Sequence, residues 1–369
     1  MPETMSQATR ELYYATLTGS VQAAERALQA GAEINAQDKD SYTPLHLACI
    51  QGRLEIAQFL VRNGAHIDTP GNDNKTALHW ACIEGHAEVI QFLVHAGADI
   101  HALDKDNVSA LQITCLRCNL ETIKLLASAG ADVNTQANDG SAPLHWACDR
   151  GNMGIIEFLV QNGASIDTRT SPQGFTPLHW ACRSGHLHVV KFLLAHGATV
   201  TNTPDSQALT PLQIACVHGH LKIVKFLAST GINILAESEK SEPLLHTACL
   251  AGQLDMVKFL VNRGADIHCH CAPQDNQTAL HIACIWGFAP IVKFLVGKGA
   301  SIHAPDKGKA TPLHWAYHGG HLETVRVLLD SGKVPITHDM INWVNSLSDT
   351  TPNIKAIQQL FAQKPAHHD

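Results

Sequence analysis

The chain has 369 residues, 45% of them hydrophobic and only 5% aromatic, enough apolar material for a packed core and too much for wholesale disorder. A formal net charge of -7 with no run of Lys and Arg excludes the basic footprint of a nucleic-acid binder. No stretch approaches the apolar length that spans a bilayer, and eleven cysteines without a secretory start point to a reducing, cytoplasmic setting.

From the N-terminus, ELYYATLTGS and VQAAERALQAGAEIN, Glu11 to Asn35, predict a first helix pair. A short signature then returns again and again: TPLHLAC from Thr43, TALHWAC from Thr76, SALQITC from Ser109, APLHWAC from Ala142 and TPLHWAC from Thr176. It continues as TPLQIAC from Thr210, PLLHTAC from Pro243, TALHIAC from Thr278 and TPLHWAY from Thr311. The signature leucines, Leu45 to Leu313, are separated by 33, 33, 33, 34, 34, 33, 35 and 33 residues. Self-similarity at such a period marks a repeat architecture. After Gly332 the pattern stops; THDMINWVNSL, Thr337 to Leu347, and TPNIKAIQQLFAQ, Thr351 to Gln363, each predict a further helix, and KPAHHD a frayed tail.

The unit from Thr176 to Val200 explains itself physically. Thr176 suits a helix cap and Pro177 the first helical position. Leu178, Ala181 and Cys182 give that helix a small apolar face. Gly185 breaks it, and His186 begins a second helix whose buried stripe is Val189, Val190, Phe192 and Leu193. Gly197 stands just past its end, where a left-handed residue is needed. One such pair cannot bury its own faces, but stacked pairs can.

TPLHWACRSGHLHVVKFLLAHGATV, Thr176 to Val200, resembles the ankyrin repeat, and the resemblance covers residues 10 to 335. It implies an all-α ankyrin-repeat solenoid: a curved right-handed stack of about 10–11 helix-turn-helix units with β-hairpin loops. The boundaries expected are an N-terminal capping repeat over 1–40, nine ankyrin repeats over 41–335, and degenerate C-terminal cap helices and tail over 336–369.

The recurrent side chains invite chemistry and mostly refuse it. His46, His79, His145, His179, His246, His281 and His314 hold one repeat position, yet Gln112 and Gln213 replace them. An amide donates and accepts like a neutral imidazole but is a poor metal ligand or base, so a buried structural histidine is expected. Cys49, Cys82, Cys115, Cys148, Cys182, Cys216, Cys249 and Cys284 recur likewise. Neighbouring repeats lie about 8–10 Å apart, beyond disulfide reach, and a nucleophile needs one activated site rather than eight equivalent ones. His268, Cys269, His270 and Cys271 form the one compact set of soft ligands, but alternation along an extended chain lets at most two face one ion. No catalytic residue, metal or cofactor is therefore expected. Phe59, Phe92, Phe158, Phe192, Phe226, Phe259 and Phe294 recur in the second helix and are expected to pack inside. Trp80, Trp146, Trp180 and Trp315 follow the motif histidine and read mainly as packing between helices.

Variation on a uniform frame marks the candidate binding surface. The residue before each signature and the pair before each central glycine vary, and in ankyrin proteins these line the concave face. Tyr42, Arg150, Phe175, Arg183, His218, Ile285, Trp286 and Phe288 are the partner-binding candidates, Phe175 with Arg150 and Arg183 forming one patch and Ile285, Trp286 and Phe288 another. The resemblance also puts Asn35 and Asn134 at the position modified by a cytosolic asparaginyl hydroxylase. The function expected is a monomeric, non-enzymatic scaffold or adaptor binding a protein, with neither nucleic acid nor membrane as partner. A second reading is an effector delivered by an intracellular bacterium into the host cytoplasm, where it binds host proteins. A third, an enzyme built on the repeats, lacks a spare domain and a unique acid, base or nucleophile.

Overall fold

In the computed structural model, which describes residues 5–200, 209–235, 243–271, 275–331 and 352–362, each signature opens a short helix as its chemistry requires. Thr176 is the N-cap and Pro177 the first helical residue; the Thr176 amide donates to His179 Nδ1 at 3.0 Å, satisfying a group the helix leaves unpaired. Gly185 ends the helix at φ 81°, and Gly197 at φ 91° stands just past the end of the second. Both conformations cost little only without a Cβ.

The first compact unit, Met1–Ala208, contains six helix pairs among its described residues. They are α1 Gln7–Thr18 with α2 Val21–Gln29, α3 Pro44–Ile50 with α4 Leu54–Arg62, and α5 Ala77–Glu84 with α6 Ala87–His95. The series continues with α7 Ala110–Arg117 and α8 Leu120–Ser128, α9 Pro143–Arg150 and α10 Met153–Gln161, and α11 Pro177–Ser184 and α12 Leu187–Ala195. First helices pack on the first helices of the neighbouring pairs from α1 through α11, and second helices do the same from α2 through α10. The opening pair starts earlier than expected, because Ser6 caps α1 by accepting the Thr9 amide at 3.1 Å.

The second unit, Leu209–Asp369, holds α13 Pro211–Val217, α14 Leu221–Ser229, α15 Leu244–Leu250, α16 Leu254–Asn262, α17 Ala279–Ile285, α18 Ala289–Gly297, α19 Pro312–His318 and α20 Leu322–Asp330. A last helix, α21 Pro352–Ala362, packs on α20 and buries Ile354, Ile357 and Phe361. The helix expected at Thr337 to Leu347, the tail after Gln363 and the variable residue Glu242 lie outside the described residues.

The core of both units is the repeated signature itself. All nine signature leucines and all eight motif cysteines are buried, and Tyr317 fills the cysteine place in the last repeat. The second-helix phenylalanines depart from expectation: all seven, Phe59 to Phe294, are half-buried. In α12 the buried residues are Val189, Val190 and Leu193, while Phe192 lies on the flank of that stripe and stacks on His196 at 4.0 Å. Phe259 likewise carries Lys225 at 5.7 Å and Arg263 at 5.4 Å over its ring. A stripe of three residues per two turns is full without the aromatic, so the ring covers the edge of the helix beneath charged stems.

The loops are tighter than β-hairpins. Among the described residues only His270–Cys271 (β1) and Gln277–Thr278 (β2) form paired strands, antiparallel, with a lone bridge at Leu103 and Ser109. The other described arms are too short for a ladder. They are closed by a bond such as Asp104 N to Val108 O at 3.1 Å, and loop joins loop through Lys105 N to Asp73 O and Asn138 N to Asp106 O, both 2.8 Å.

Candidate functional site

The motif histidines are staples between repeats. In His46 the ring Nδ1 accepts the Thr43 amide at 3.1 Å, and Nε2–H donates to the carbonyl of Lys75 in the following repeat at 3.1 Å. An amide donor at one nitrogen and a carbonyl at the other require the neutral Nε2–H form. His79 reaches Val108 O at 3.2 Å, His145 reaches Phe175 O at 3.1 Å, His246 reaches Gln277 O at 3.1 Å and His281 reaches Ala310 O at 3.2 Å. Gln112 copies both bonds, accepting the Ser109 amide at 2.9 Å and donating to Ser141 O at 2.8 Å. That is the physical content of the His/Gln exchange. In the atypical first pair Tyr13, 33 residues before His46, plays the part: its hydroxyl donates to Tyr42 O at 2.6 Å, with Ala36 O also within 2.8 Å. Tyr13 lies outside any TPLH signature, and its 33-residue distance from His46 is the one mark in the sequence of this role.

A second set of histidines opens the second helices. Nε2 of His86 donates to Ile50 O at 3.0 Å, His186 to Asp149 O at 2.9 Å and His321 to Ile285 O at 2.9 Å. Each ring therefore holds the end of the preceding repeat's first helix. Phe288 occupies this place in the eighth signature repeat and seals it without a hydrogen bond, its ring lying so close over Gly252 that a Cβ there would stand 2.8 Å away.

Together the two ladders hold the backbone at seven positions of the first variable set and at three of the second. Carbonyls of Tyr42, Lys75, Val108, Ser141, Phe175, Gln277 and Ala310 receive the first ladder, and those of Ile50, Asp149 and Ile285 the second. Main chain is held while side chain is left to vary. A rigid frame presenting variable side chains is what a binding surface requires.

The candidate side chains differ in how far they are offered. Trp286 is 56% exposed at the end of α17, and Leu250, at the end of the adjoining α15, is 41% exposed. Ile285 and Phe288 are half-buried beside it. Arg150 and His218 are exposed, the latter with Nδ1 donating to Ile214 O at 3.0 Å. Tyr42 is half-buried, edge-on to Trp80 at 5.4 Å. Phe175 is also half-buried and lies flat on His179 at 5.3 Å, so it is less free than its place before the signature implies. Arg183 lies 4.6 Å over the Trp180 ring and bonds Asp149 Oδ1 at 2.9 Å. Trp180 in turn meets Trp146 edge-to-face at 5.2 Å. These sites fall in two compact units, and each patch lies wholly within one of them.

A family profile described as ankyrin repeats (3 copies) matches residues 12–104, 96–170, 167–238, 201–271 and 245–339. The chain belongs to the ankyrin-repeat family. No curated protein matches it in a sequence comparison. Ankyrin repeats generally mediate protein–protein interactions and are typically non-enzymatic.

The chemistry inside this ankyrin chain is quiet. Burial pushes the motif thiols up, Cys182 to about 12 and Cys49, Cys82, Cys115, Cys148, Cys249 and Cys284 well above the usual thiol range, which leaves no nucleophilic thiolate at these places. Burial likewise pushes His145 down to about 4 and lowers His46, His79 and His281. Among the described residues no group of three His, Cys, Asp or Glu is placed to hold a metal. Cys271 is buried on β1 and His270 exposed, its Nδ1 donating to Asn276 O at 2.7 Å, so neighbours in this short strand face opposite ways. Asn35 and Asn134 hold equivalent loop places: their amides donate to Gly64 O at 3.2 Å and Gly163 O at 3.0 Å, and both accept an amide two residues further on, from His66 and Ser165 at 2.8 Å. No described helix is long and apolar enough to cross a membrane.

Proposed function

We propose that this ankyrin chain is a non-enzymatic scaffold that holds a protein partner on the face formed by its loop tips and first-helix ends. The observation that carries the reading is Trp286. A large aromatic stands 56% exposed where the preceding repeat has Ala251 and the following one Gly319, on a backbone anchored next door by His321. Tryptophan is the residue most enriched at the energetic centres of interfaces, and an isolated one in water gains nothing from its size. Leu250 extends the same apolar ground across α15.

The motif thiols and imidazoles support the non-enzymatic part of the reading, because both are held in their unreactive forms. Binding partners recovered by proximity labelling should be titrated against wild type and Trp286→Ala. A loss of about 2 kcal/mol or more in binding with an unchanged melt is expected for an anchor of this kind. Equal binding by the two proteins removes Trp286 from the interface.

A further inference from the structure

The ends of the first helices change character along the first unit. The last residues of α3 and α5 are Ile50 and Glu84, and Gln51 follows α3. From the third signature repeat onward they are basic: α7 ends on Arg117, α9 on Arg150, and α11 carries Arg183 one residue before its end. α7 packs on α9 and α9 on α11, so these arginines stand on three consecutive, touching elements. Three of the ten arginines in a chain of net charge -7 gather here.

The surroundings separate a binding strip from ordinary helix-end cations. An arginine serving its own helix would hydrogen-bond the last carbonyls. Arg117 and Arg150 are exposed and make neither such a bond nor an ion pair among the described residues. Of the acids facing the strip, Asp149 is already engaged by Arg183 at 2.9 Å and by Ser184 at 2.6 Å, and Glu84 forms no ion pair with Arg117 within 4.0 Å. Arg183 is half-buried, flattened over Trp180, which leans on Trp146. The strip is therefore a row of guanidinium groups beside an aromatic floor; Arg150 acts on Asp149 only at longer range, and the donors of Arg117 and Arg150 make no hydrogen bond or ion pair among the described residues. Guanidinium matches a carboxylate in a two-bond fork that no neutral side chain reproduces.

We propose that this strip takes an acidic segment of the protein partner, an extended peptide whose carboxylates meet Arg117, Arg150 and Arg183 on successive repeats. The proposal rests on the protein-binding reading above and names the chemistry of the segment. Charge complementarity commits it to Asp and Glu rather than to basic or purely apolar residues.

Selection of random twelve-residue peptides displayed on phage against the full-length chain tests this. Enriched peptides should carry several Asp or Glu residues. Their affinity should fall about tenfold or more in Arg117→Ser, Arg150→Ser and weaken with added salt, while Arg117→Lys, Arg150→Lys keeps part of it. Both side chains are exposed, so the melts of these variants should match wild type. Enriched peptides that are neutral or basic, or that bind the double serine variant as well as wild type, overturn the acidic-segment proposal and leave the protein-binding reading standing. A selection that enriches nothing above background counts against both.

Discussion

At the scale of single residues, the motif histidine is a pH-dependent staple. Burial lowers the folded pKa of His145 to about 4, against an ordinary 6.5. The unfolded chain therefore binds more protons below pH 6.5, so the stability this group contributes is full above that pH and is lost as pH falls towards 4. Each such ring changes stability by about 1.4 kcal/mol per pH unit within its window. His46, His79 and His281 shift the same way and should steepen the slope. Replacing His145 by glutamine, which Gln112 shows to make the same two bonds, should make the melting temperature fall less between pH 7 and pH 5 than in wild type. Equal falls in the two proteins would remove His145 as a source of the slope.

The aromatic residues separate in a second test. Phe259 is half-buried beneath Lys225 and Arg263, so Phe259→Ala should cost about 2 kcal/mol, below the 3–5 kcal/mol of a fully buried phenylalanine. Trp286→Ala should stay within about 0.5 kcal/mol of wild type, as exposed substitutions do. Denaturant melts of both variants check the pair, and a Trp286→Ala collapse would assign that ring to the core.

At the scale of the helix and its loop, the stack carries two kinds of local misfit that a substitution should relieve. Cys118 sits at φ 60°, at the end of α7 where Gly85, Gly151 and Gly185 hold the same left-handed place. Its thiol is exposed and makes only a long 4.0 Å bond to Leu116 O, so little is gained from the side chain. Cys118→Gly is expected to stabilise by about 1 kcal/mol, and a lower midpoint in urea would refute this. The second misfit concerns the tryptophans after the motif histidine. In the last repeat Trp315 Nε1 donates to Asp306 Oδ2 at 2.8 Å. The loop residue matching Asp306, the one whose amide closes the turn, is Gly71, Ala137 or Thr170 in the repeats of Trp80, Trp146 and Trp180. The buried indole N–H of those three finds no partner among the described residues, which costs free energy. Ala137→Asp supplies an acceptor to Trp146 and should raise the melting temperature by a few degrees, roughly 1 kcal/mol. A decrease would show that the carboxylate cannot reach.

Over the whole molecule, stability is close to a sum of neighbour terms, because within its unit every described first helix packs mainly on the pairs beside it. Substitutions in different units should therefore add. Cys118→Gly lies in the first unit and Phe259→Ala in the second, and their joint effect should equal the sum within about 0.5 kcal/mol. Chelation should not move the melt, because the staples are imidazoles and amides bonded to carbonyls rather than to an ion. A drop of several degrees with EDTA would reveal a metal holding the fold.

The repeat period, the helix starts at threonine and proline, the glycine stops and the neutral role of the motif histidine were all legible in the sequence. Each depends on residues close along the chain, or on a substitution pattern, Gln112 for histidine, that carries its own chemistry. Three matters waited for the tertiary structure. The phenylalanines share the period of the core yet lie on its flank, since periodicity names a helix face but not how wide a stripe the neighbouring helix covers. Phe175 and Phe288, read as surface, are drawn partly inward by His179 and Gly252, contacts 4 and 36 residues away in sequence. Tyr13 became a staple only when its hydroxyl was placed against Tyr42 O, because a tyrosine outside the signature has no local mark of that task. Local propensity and spacing decide which helices form; which atoms meet across the stack depends on how far one element stands from the next, and that distance is set by packing.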